Sequence, residues 1–171
     1  MEYTTLDHCI DRVFPFIHAH LSEHEPAPEY EFINSGMGQL EKVLQLVQSD
    51  VYYPTFSDKC AYLLCSIAGS QYFPNGNKRL GVAVLIDFLI INSAEIVVLN
   101  SGDYRELLNI YYPSYTWEEN ENIRDPHPLF LYNLAIVIGT PSIWEFGHGF
   151  DQVKESVSEV FEQLYRLKEP Y

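Results

Sequence analysis

The sequence predicts a mainly α-helical bundle that forms one domain over residues 1–171. Apolar residues recur at steps of three and four along most of the chain, and prolines and polar turns separate these stretches. Hydrophobic residues make up 47% and aromatic residues 15% of the chain, which is enough for one buried core. The chain has no internal repeat and no low-complexity tract that would divide it.

The first part of the chain is predicted to form two helices joined by an extended segment. Helical spacing covers residues 6–21, and Pro15 is expected to kink this helix. A short alternation at residues 30–33 predicts an extended flap, which would be a β-hairpin in the folded protein. Residues 40–51 are amphipathic and predict a helix that Pro54 ends.

Two buried helices are predicted in the middle of the chain. Thr55 and Asp58 have capping-box spacing and predict the start of a helix that carries the apolar residues 60–68. Residues 77–91 are rich in Val and Ile, so a buried strand competes with a helix, and the length of the run favours the helix. Residues 95–99 are interpreted as a short strand or an extended connection.

Three further helices complete the predicted bundle. Short helices are predicted at residues 103–111 and 129–138, and a C-terminal helix at residues 151–168. Ser142 and Glu145 predict a capping box before the C-terminal helix. An acidic loop that contains Trp117 lies between Pro113 and Pro128, and it is either a solvated connector or a binding surface.

The charge and the cysteines restrict the function classes. The net charge of −14 repels nucleic acid and anionic membranes, so we expect no binding to either. The apolar run from Leu80 to Ile91 contains Asp87 and is too short for a membrane span. The three cysteines include no C-x-x-C pair, and no apolar leader follows an N-terminal cationic segment, so we expect a cytoplasmic protein with reduced thiols.

The residues with the clearest chemistry are the polar turn at positions 71–79, Gln-Tyr-Phe-Pro-Asn-Gly-Asn-Lys-Arg. Gly76 allows successive amide groups to point at one anion, and Lys78 and Arg79 lie at a predicted helix start, where the helix dipole also favours negative charge. The alternative is a plain interhelical turn in which both cations are solvated. From the residue pattern alone both interpretations stay open.

The turn resembles the signature of the Fic/Doc family, His-x-Phe-x-Asp/Glu-Gly/Ala-Asn-Gly/Lys-Arg. The residues that match it are Phe73, Gly76, Asn77, Lys78 and Arg79. The resemblance covers residues 36–140, and the surrounding residues are similar to the death-on-curing branch. They are Gly38, Leu40, Glu41, Tyr53, Pro54, Lys59 and the segment 88–93.

The resemblance implies a helical fold and a reaction that transfers AMP or phosphate from ATP, with Mg²⁺, to a hydroxyl of a protein target. It implies that Arg79 contacts the terminal phosphates, that Asn75, Gly76, Asn77 and Lys78 complete the phosphate-binding turn, and that Phe73 anchors the turn to the core. The implied partner is a protein target or, as in toxin–antitoxin pairs, an antitoxin-like protein.

Two positions depart from the signature. Gln71 stands at the position of the catalytic histidine, and an amide has no basic lone pair near neutral pH. Asn75 stands at the position of the carboxylate that holds Mg²⁺, so any metal site there is weak. The sequence therefore predicts a Fic/Doc-like protein with impaired or altered transferase activity. The alternative is a non-catalytic binding module, a pseudoenzyme that engages a protein partner.

Other candidate residues have weaker patterns. The spacing of His18, His20 and His24 does not place three metal ligands on one helix face. His127 or His148 would replace the missing base only if the fold brought it to Gln71. Ser158 and Glu162 faintly resemble the inhibitory helix of some Fic proteins, but the spacing is common on helices. A small-molecule hydrolase has no supporting motif.

Overall fold

The computed structural model describes residues 1–168, and over these residues the chain is mainly α-helical, as the sequence predicts. The helices are α1 Leu6–His8, α2 Phe14–His20, α3 Asn34–Leu46, α4 Phe56–Ala68, α5 Asn77–Ile91, α6 Ser101–Tyr111, α7 Pro126–Ile138 and α8 Phe150–Leu164. The strands β1 Glu95–Ile96 and β2 Tyr165–Arg166 pair antiparallel, so of the two interpretations of residues 95–99 the structure has the strand, limited to the first two residues.

Helices α4 and α5 form the centre of the bundle. Helix α4 packs against α5 and α8, and α5 also contacts α2 and α7. The capping box predicted for α4 is confirmed, because Thr55 Oγ1 accepts the amide of Asp58 at 3.0 Å and the Asp58 carboxylate accepts the amide of Thr55 at 3.1 Å. Gly81 lets the two helices approach closely, since a Cβ there would lie 2.9 Å from the backbone nitrogen of Ala68.

Asp87 is the single acid within the apolar run of α5, and its partners explain why it is tolerated there. Its carboxylate is 8% exposed, accepts the hydroxyl of Thr4 at 2.8 Å and pairs with Arg12 at 3.1 Å. A buried carboxylate requires such partners. Asp87 therefore fixes the N-terminal segment to the central helix.

The N-terminal half differs from the sequence prediction at residues 30–33. A π-helical turn at Cys9–Val13 ends two residues before Pro15, and such turns accommodate local disruptions of the helix ladder. The extended flap predicted at residues 30–33 is wrong, because Tyr30–Phe32 is a 3₁₀ helix. The Tyr30 ring is fully buried and stacks on Phe14 at 4.9 Å, which holds this segment against the core.

The predicted helix at residues 40–51 ends early, at Leu46. The buried ammonium of Lys59 donates to the carbonyl oxygen of Val47 at 2.9 Å and pairs with Asp50 at 2.9 Å. These contacts hold the chain after α3 in a non-helical path. Val51 is consequently 88% exposed and lies outside the core.

Two predictions near the C-terminus are corrected. The capping box at Ser142 and Glu145 is wrong, because Pro141–Ile143 is a 3₁₀ helix and α8 begins only at Phe150, after Gly149. The C-terminal helix predicted at residues 151–168 ends at Leu164, since Tyr165 is 3% exposed and pairs with Ile96 in the two-stranded sheet.

The structure also shows that none of the helices within residues 1–168 has both the length and the apolar character needed to cross a membrane.

Candidate functional site

The polar turn links α4 to α5, and Gly76 is the residue at which the chain enters α5. Gly76 precedes the first residue of α5 and has φ 73° and ψ 13°, the left-handed conformation that glycine adopts most easily. A Cβ at this position would collide with the hydroxyl of Tyr30. No side chain within residues 1–168 caps the N-terminus of α5, so its first backbone amides remain free to bind an anion.

Phe73 and Asn77 fix the shape of the turn. The Asn77 side chain accepts the amide of Phe73 at 3.1 Å and donates to the carbonyl of Phe73 at 2.8 Å. The Phe73 ring is 1% exposed, meets Tyr30 edge-on at 4.9 Å and covers Gly36. Asn77 therefore has its backbone amide left for a further contact, because its side chain is used within the turn.

Arg79 lies under a covering segment, residues 21–30, which we call the strap. Its Nη1 atom donates to the carbonyl of Leu21 at 2.8 Å and to the carbonyl of Glu25. Its Nη2 atom is buried and has no hydrogen-bond partner within residues 1–168, and the guanidinium forms no ion pair there. A buried donor without an acceptor costs free energy, so a ligand that supplies an acceptor to Arg79 Nη2 would be favoured.

Asn75 and Tyr30 add two further contacts between the turn and the strap. The Asn75 side-chain nitrogen donates to the carbonyl of Pro26 at 2.9 Å and to the carboxylate of Glu25 at 3.3 Å. The Tyr30 hydroxyl donates to the carbonyl of Gly76 at 3.0 Å. The strap is thus held by side chains of the turn and lies where a ligand of the turn would approach Arg79.

Lys78 and Gln71 have surroundings that do not include the strap contacts of Arg79. A Cβ placed on Gly139, at the end of α7, would lie 3.0 Å from Lys78 Nζ, and a cation is favoured at a helix C-terminus. Gln71 is exposed and lines an open hollow of about 440 Å³ with Ser35, Gln39 and Tyr72. The four lining side chains carry hydroxyl or amide groups, and burial raises the pKa of Tyr72 above its usual value. None of these four side chains therefore accepts a proton near neutral pH.

The two histidines considered as substitutes for the missing base have other partners. His127 Nε2 lies 2.7 Å from the Tyr165 hydroxyl, and burial lowers the pKa of His127 to about 4. His148 lies 3.6 Å from the Glu145 carboxylate. Their contacts do not bring them to Gln71.

His127 makes stability depend on pH. Its pKa is about 4 in the folded protein and 6.5 in an unfolded chain, so between these values only the unfolded state takes up this proton. The stabilising contribution is complete above pH 6.5, falls as the pH drops, and has lost about 3 kcal/mol near pH 4. Urea unfolding over this pH range should show this fall in excess of that of a His127→Gln variant, and parallel curves would refute it.

The Asn75 side chain, the weak candidate ligand for Mg²⁺, is engaged by the strap. Asn75 offers an amide, and its nitrogen already donates to the strap. Within residues 1–168 no group of three His, Cys, Asp or Glu side chains is arranged to hold a metal ion. His18 lies 3.9 Å from Glu29, and His24 contacts Asn122, so these histidines have separate partners. Neutral oxygen ligands without a carboxylate cluster hold Mg²⁺ poorly.

Ser158 has a structural role. Its hydroxyl donates to the Asp58 carboxylate at 2.7 Å and joins α8 to the start of α4. Glu162 is exposed on α8, and Arg79 contacts the strap. The resemblance of Ser158 and Glu162 to an inhibitory helix therefore has no counterpart in the contacts of Arg79.

The sequence does not predict the strap. It contributes to the site through the carbonyls of Leu21, Glu25 and Pro26, and backbone carbonyls carry no residue-type signal. The cluster of prolines and acids at residues 25–31 indicates only the end of a helix.

Compared with models of protein families, with curated proteins and with solved structures, the chain matches none of them.

Proposed function

We propose that the turn of residues 75–79 binds the phosphate groups of a nucleotide such as ATP, and that the chain is a Fic/Doc-like protein with impaired transferase activity. The observation that carries the proposal is that the guanidinium of Arg79 is only partly hydrogen-bonded. Within residues 1–168 its Nη2 atom is buried without an acceptor, beside the N-terminus of α5, which no side chain of these residues caps. The guanidinium also has no counter-ion among the described residues, and both features favour the same ligand, an anion.

The turn supplies distinct contacts to a phosphate group. The backbone amides from Gly76 to Lys78 donate at the start of α5, where the helix dipole favours negative charge. Arg79 adds a cation with a free donor. Lys78 follows Asn77 and precedes Arg79 in the sequence, so its positive charge adds to the attraction of an anion towards the turn.

The strap limits the affinity of this site. Arg79 donates to the carbonyls of Leu21 and Glu25, and a phosphate that takes both guanidinium nitrogens must replace these bonds. The Glu25 carboxylate near Asn75 also repels an incoming anion. We therefore expect weak nucleotide binding.

The chemistry next to the turn supports binding better than transfer. Attack by a target hydroxyl on a phosphoryl group requires a group that takes the hydroxyl proton, and the amide of Gln71 is too weak a base for this step. Asn75 lacks the charge that would hold Mg²⁺ on the phosphates. Positioning and charge still contribute to phosphoryl transfer, so residual activity is compatible with this site.

A non-catalytic binding module is the second candidate, and the strap favours it. Arg79 and Asn75 hold the backbone carbonyls of an irregular segment, which is also how they would hold a peptide of a target or of an antitoxin-like partner. In that case the turn serves to display or exchange a peptide segment.

Calorimetric titration with ATP, with and without Mg²⁺, tests the proposal. We expect binding that weakens about 10- to 100-fold in Arg79→Ala, since a hydrogen bond to a charged group contributes about 1.5 to 3 kcal/mol. Arg124→Ala is the matched control, because Arg124 is an exposed arginine of the acidic loop. No binding by the parent, or equal binding by Arg79→Ala, would overturn the phosphate site and leave the binding module.

A further inference from the structure

A second depression lies on another part of the surface, between α6 and the acidic loop that follows it. Its volume is about 370 Å³, within the usual size of small-molecule sites. It shares no lining residue with the hollow beside Gln71. Its principal lining side chains are Arg105, Glu106, Asn109, Tyr115, Thr116 and Trp117.

The loop wall of this cleft is held in place by a buried asparagine. Asn133 of α7 is 0% exposed, and its side-chain oxygen accepts the Tyr115 hydroxyl at 2.6 Å and the Glu118 amide at 2.8 Å. Its nitrogen donates to the carbonyl of Glu118 at 3.0 Å. The residues on both sides of Trp117 are therefore fixed before any ligand arrives, which lowers the entropic cost of binding.

The helix wall carries one charge of each sign. Arg105 and Glu106 both lie on α6 and line the cleft, and neither forms an ion pair within residues 1–168. Arg105 is one of only 10 basic residues in a chain with 24 acidic ones, so its guanidinium is a local positive charge in an acidic protein. A polyanion would be repelled by Glu106 and Glu118, whereas a zwitterion matches both charges.

The remaining surface of the cleft suits a flat ring. Trp117 and Tyr115 are half-buried aromatic side chains, and the indole nitrogen of Trp117 donates to Glu119 at 3.2 Å, which orients the ring. Gly102 lines the cleft without a side chain. Aromatic rings stack in such surroundings with a gain beyond area burial.

We propose that this cleft binds a small zwitterionic aromatic molecule of the aromatic amino-acid class. The ligand carboxylate binds the guanidinium of Arg105, its ammonium binds the carboxylate of Glu106, and its ring packs on Trp117. Asn109 and Thr116 supply further polar groups at the rim. The assignment gives the acidic loop a binding role that does not depend on the phosphate site.

Calorimetric titration with L-phenylalanine and three truncated compounds tests this assignment. 3-Phenylpropanoate lacks the ammonium, phenethylamine lacks the carboxylate, and L-alanine lacks the ring. We expect L-phenylalanine to bind in the millimolar range or tighter and each truncated compound to bind about tenfold more weakly or worse. No binding of L-phenylalanine, or equal binding of L-alanine, would overturn the proposal.

Variants of the helix wall assign the charges. Arg105→Ala should weaken L-phenylalanine binding about tenfold or more, whereas Arg124→Ala should leave it unchanged. Glu106→Gln should make 3-phenylpropanoate bind as well as L-phenylalanine, because the preference for the ammonium is removed. Unchanged binding in Arg105→Ala, or an unchanged preference in Glu106→Gln, would contradict the assigned contacts.

Discussion

The double variant Gln71→His, Asn75→Asp is expected to incorporate label from ATP into protein about 100-fold faster than the parent, or more. The histidine supplies a group that accepts the hydroxyl proton, and such a base contributes on the order of 10² to 10⁴ in rate. The aspartate supplies a charged ligand for Mg²⁺. Separate reactions with α- and γ-labelled ATP would also show whether AMP or phosphate is transferred.

Asn75→Asp has a second effect that the structure makes visible. The new carboxylate loses the bond to the Pro26 carbonyl and faces the carboxylate of Glu25, which lies 3.3 Å from the present amide nitrogen. Repulsion between the two should loosen the strap and expose Arg79.

Each single variant, and the double variant combined with Arg79→Ala, are the controls. If the double variant gains incorporation of label and Arg79→Ala abolishes this gain, the reaction takes place at this turn. Equal incorporation by the parent and the double variant would show that the two missing groups are not what limits transfer.

Phe73→Ala is expected to lower the free energy of unfolding by about 3 to 5 kcal/mol, the usual cost of removing a buried phenyl ring. The ring is 1% exposed, packs edge-on against Tyr30 and covers Gly36 at the start of α3. Its loss removes the contact that joins the turn to the strap and to α3. Chemical denaturation at equilibrium measures the change.

Phe146→Ala is the matched control, because Phe146 is a fully exposed phenylalanine in the loop before α8. Its free energy of unfolding should stay within about 0.5 kcal/mol of the parent. A loss in Phe73→Ala no larger than in this control would contradict the anchoring of the turn by Phe73.

The elements that the sequence predicts well are those specified by neighbouring residues. Thr55 and Asp58 close a capping box across one helical turn, so local spacing is sufficient to locate the start of α4. The run from Leu80 to Ile91 is long and almost entirely apolar, which is typical of a central helix, and it lies within α5 as predicted for residues 77–91. The left-handed conformation of Gly76 follows from the same local rules.

The elements that the sequence predicts poorly depend on contacts between distant residues. The 3₁₀ helix at Tyr30–Phe32 is held by the packing of Tyr30 on Phe14 and Phe73. Helix α3 stops early because Lys59 binds the Val47 carbonyl, and α8 stops because Tyr165 pairs with Ile96. Periodicity and caps contain no information about such pairings.

The candidate site is divided in the same way. The residue pattern locates the turn, and the structure shows how its side chains are used: Asn77 on the backbone of Phe73, and Arg79 and Asn75 on strap carbonyls. Acceptors of this kind are contributed by backbone, so only coordinates reveal them. They cover Arg79, which the residue pattern alone leaves open to solvent.

Amide NMR spectra recorded during titration with ATP would show whether phosphate binds at the start of α5. We expect the signals of the backbone amides of residues 76–79 and of the Arg79 guanidinium to shift together, with smaller shifts in the strap. Spectra in which these amides do not move, or in which shifts are confined to other parts of the chain, would contradict it.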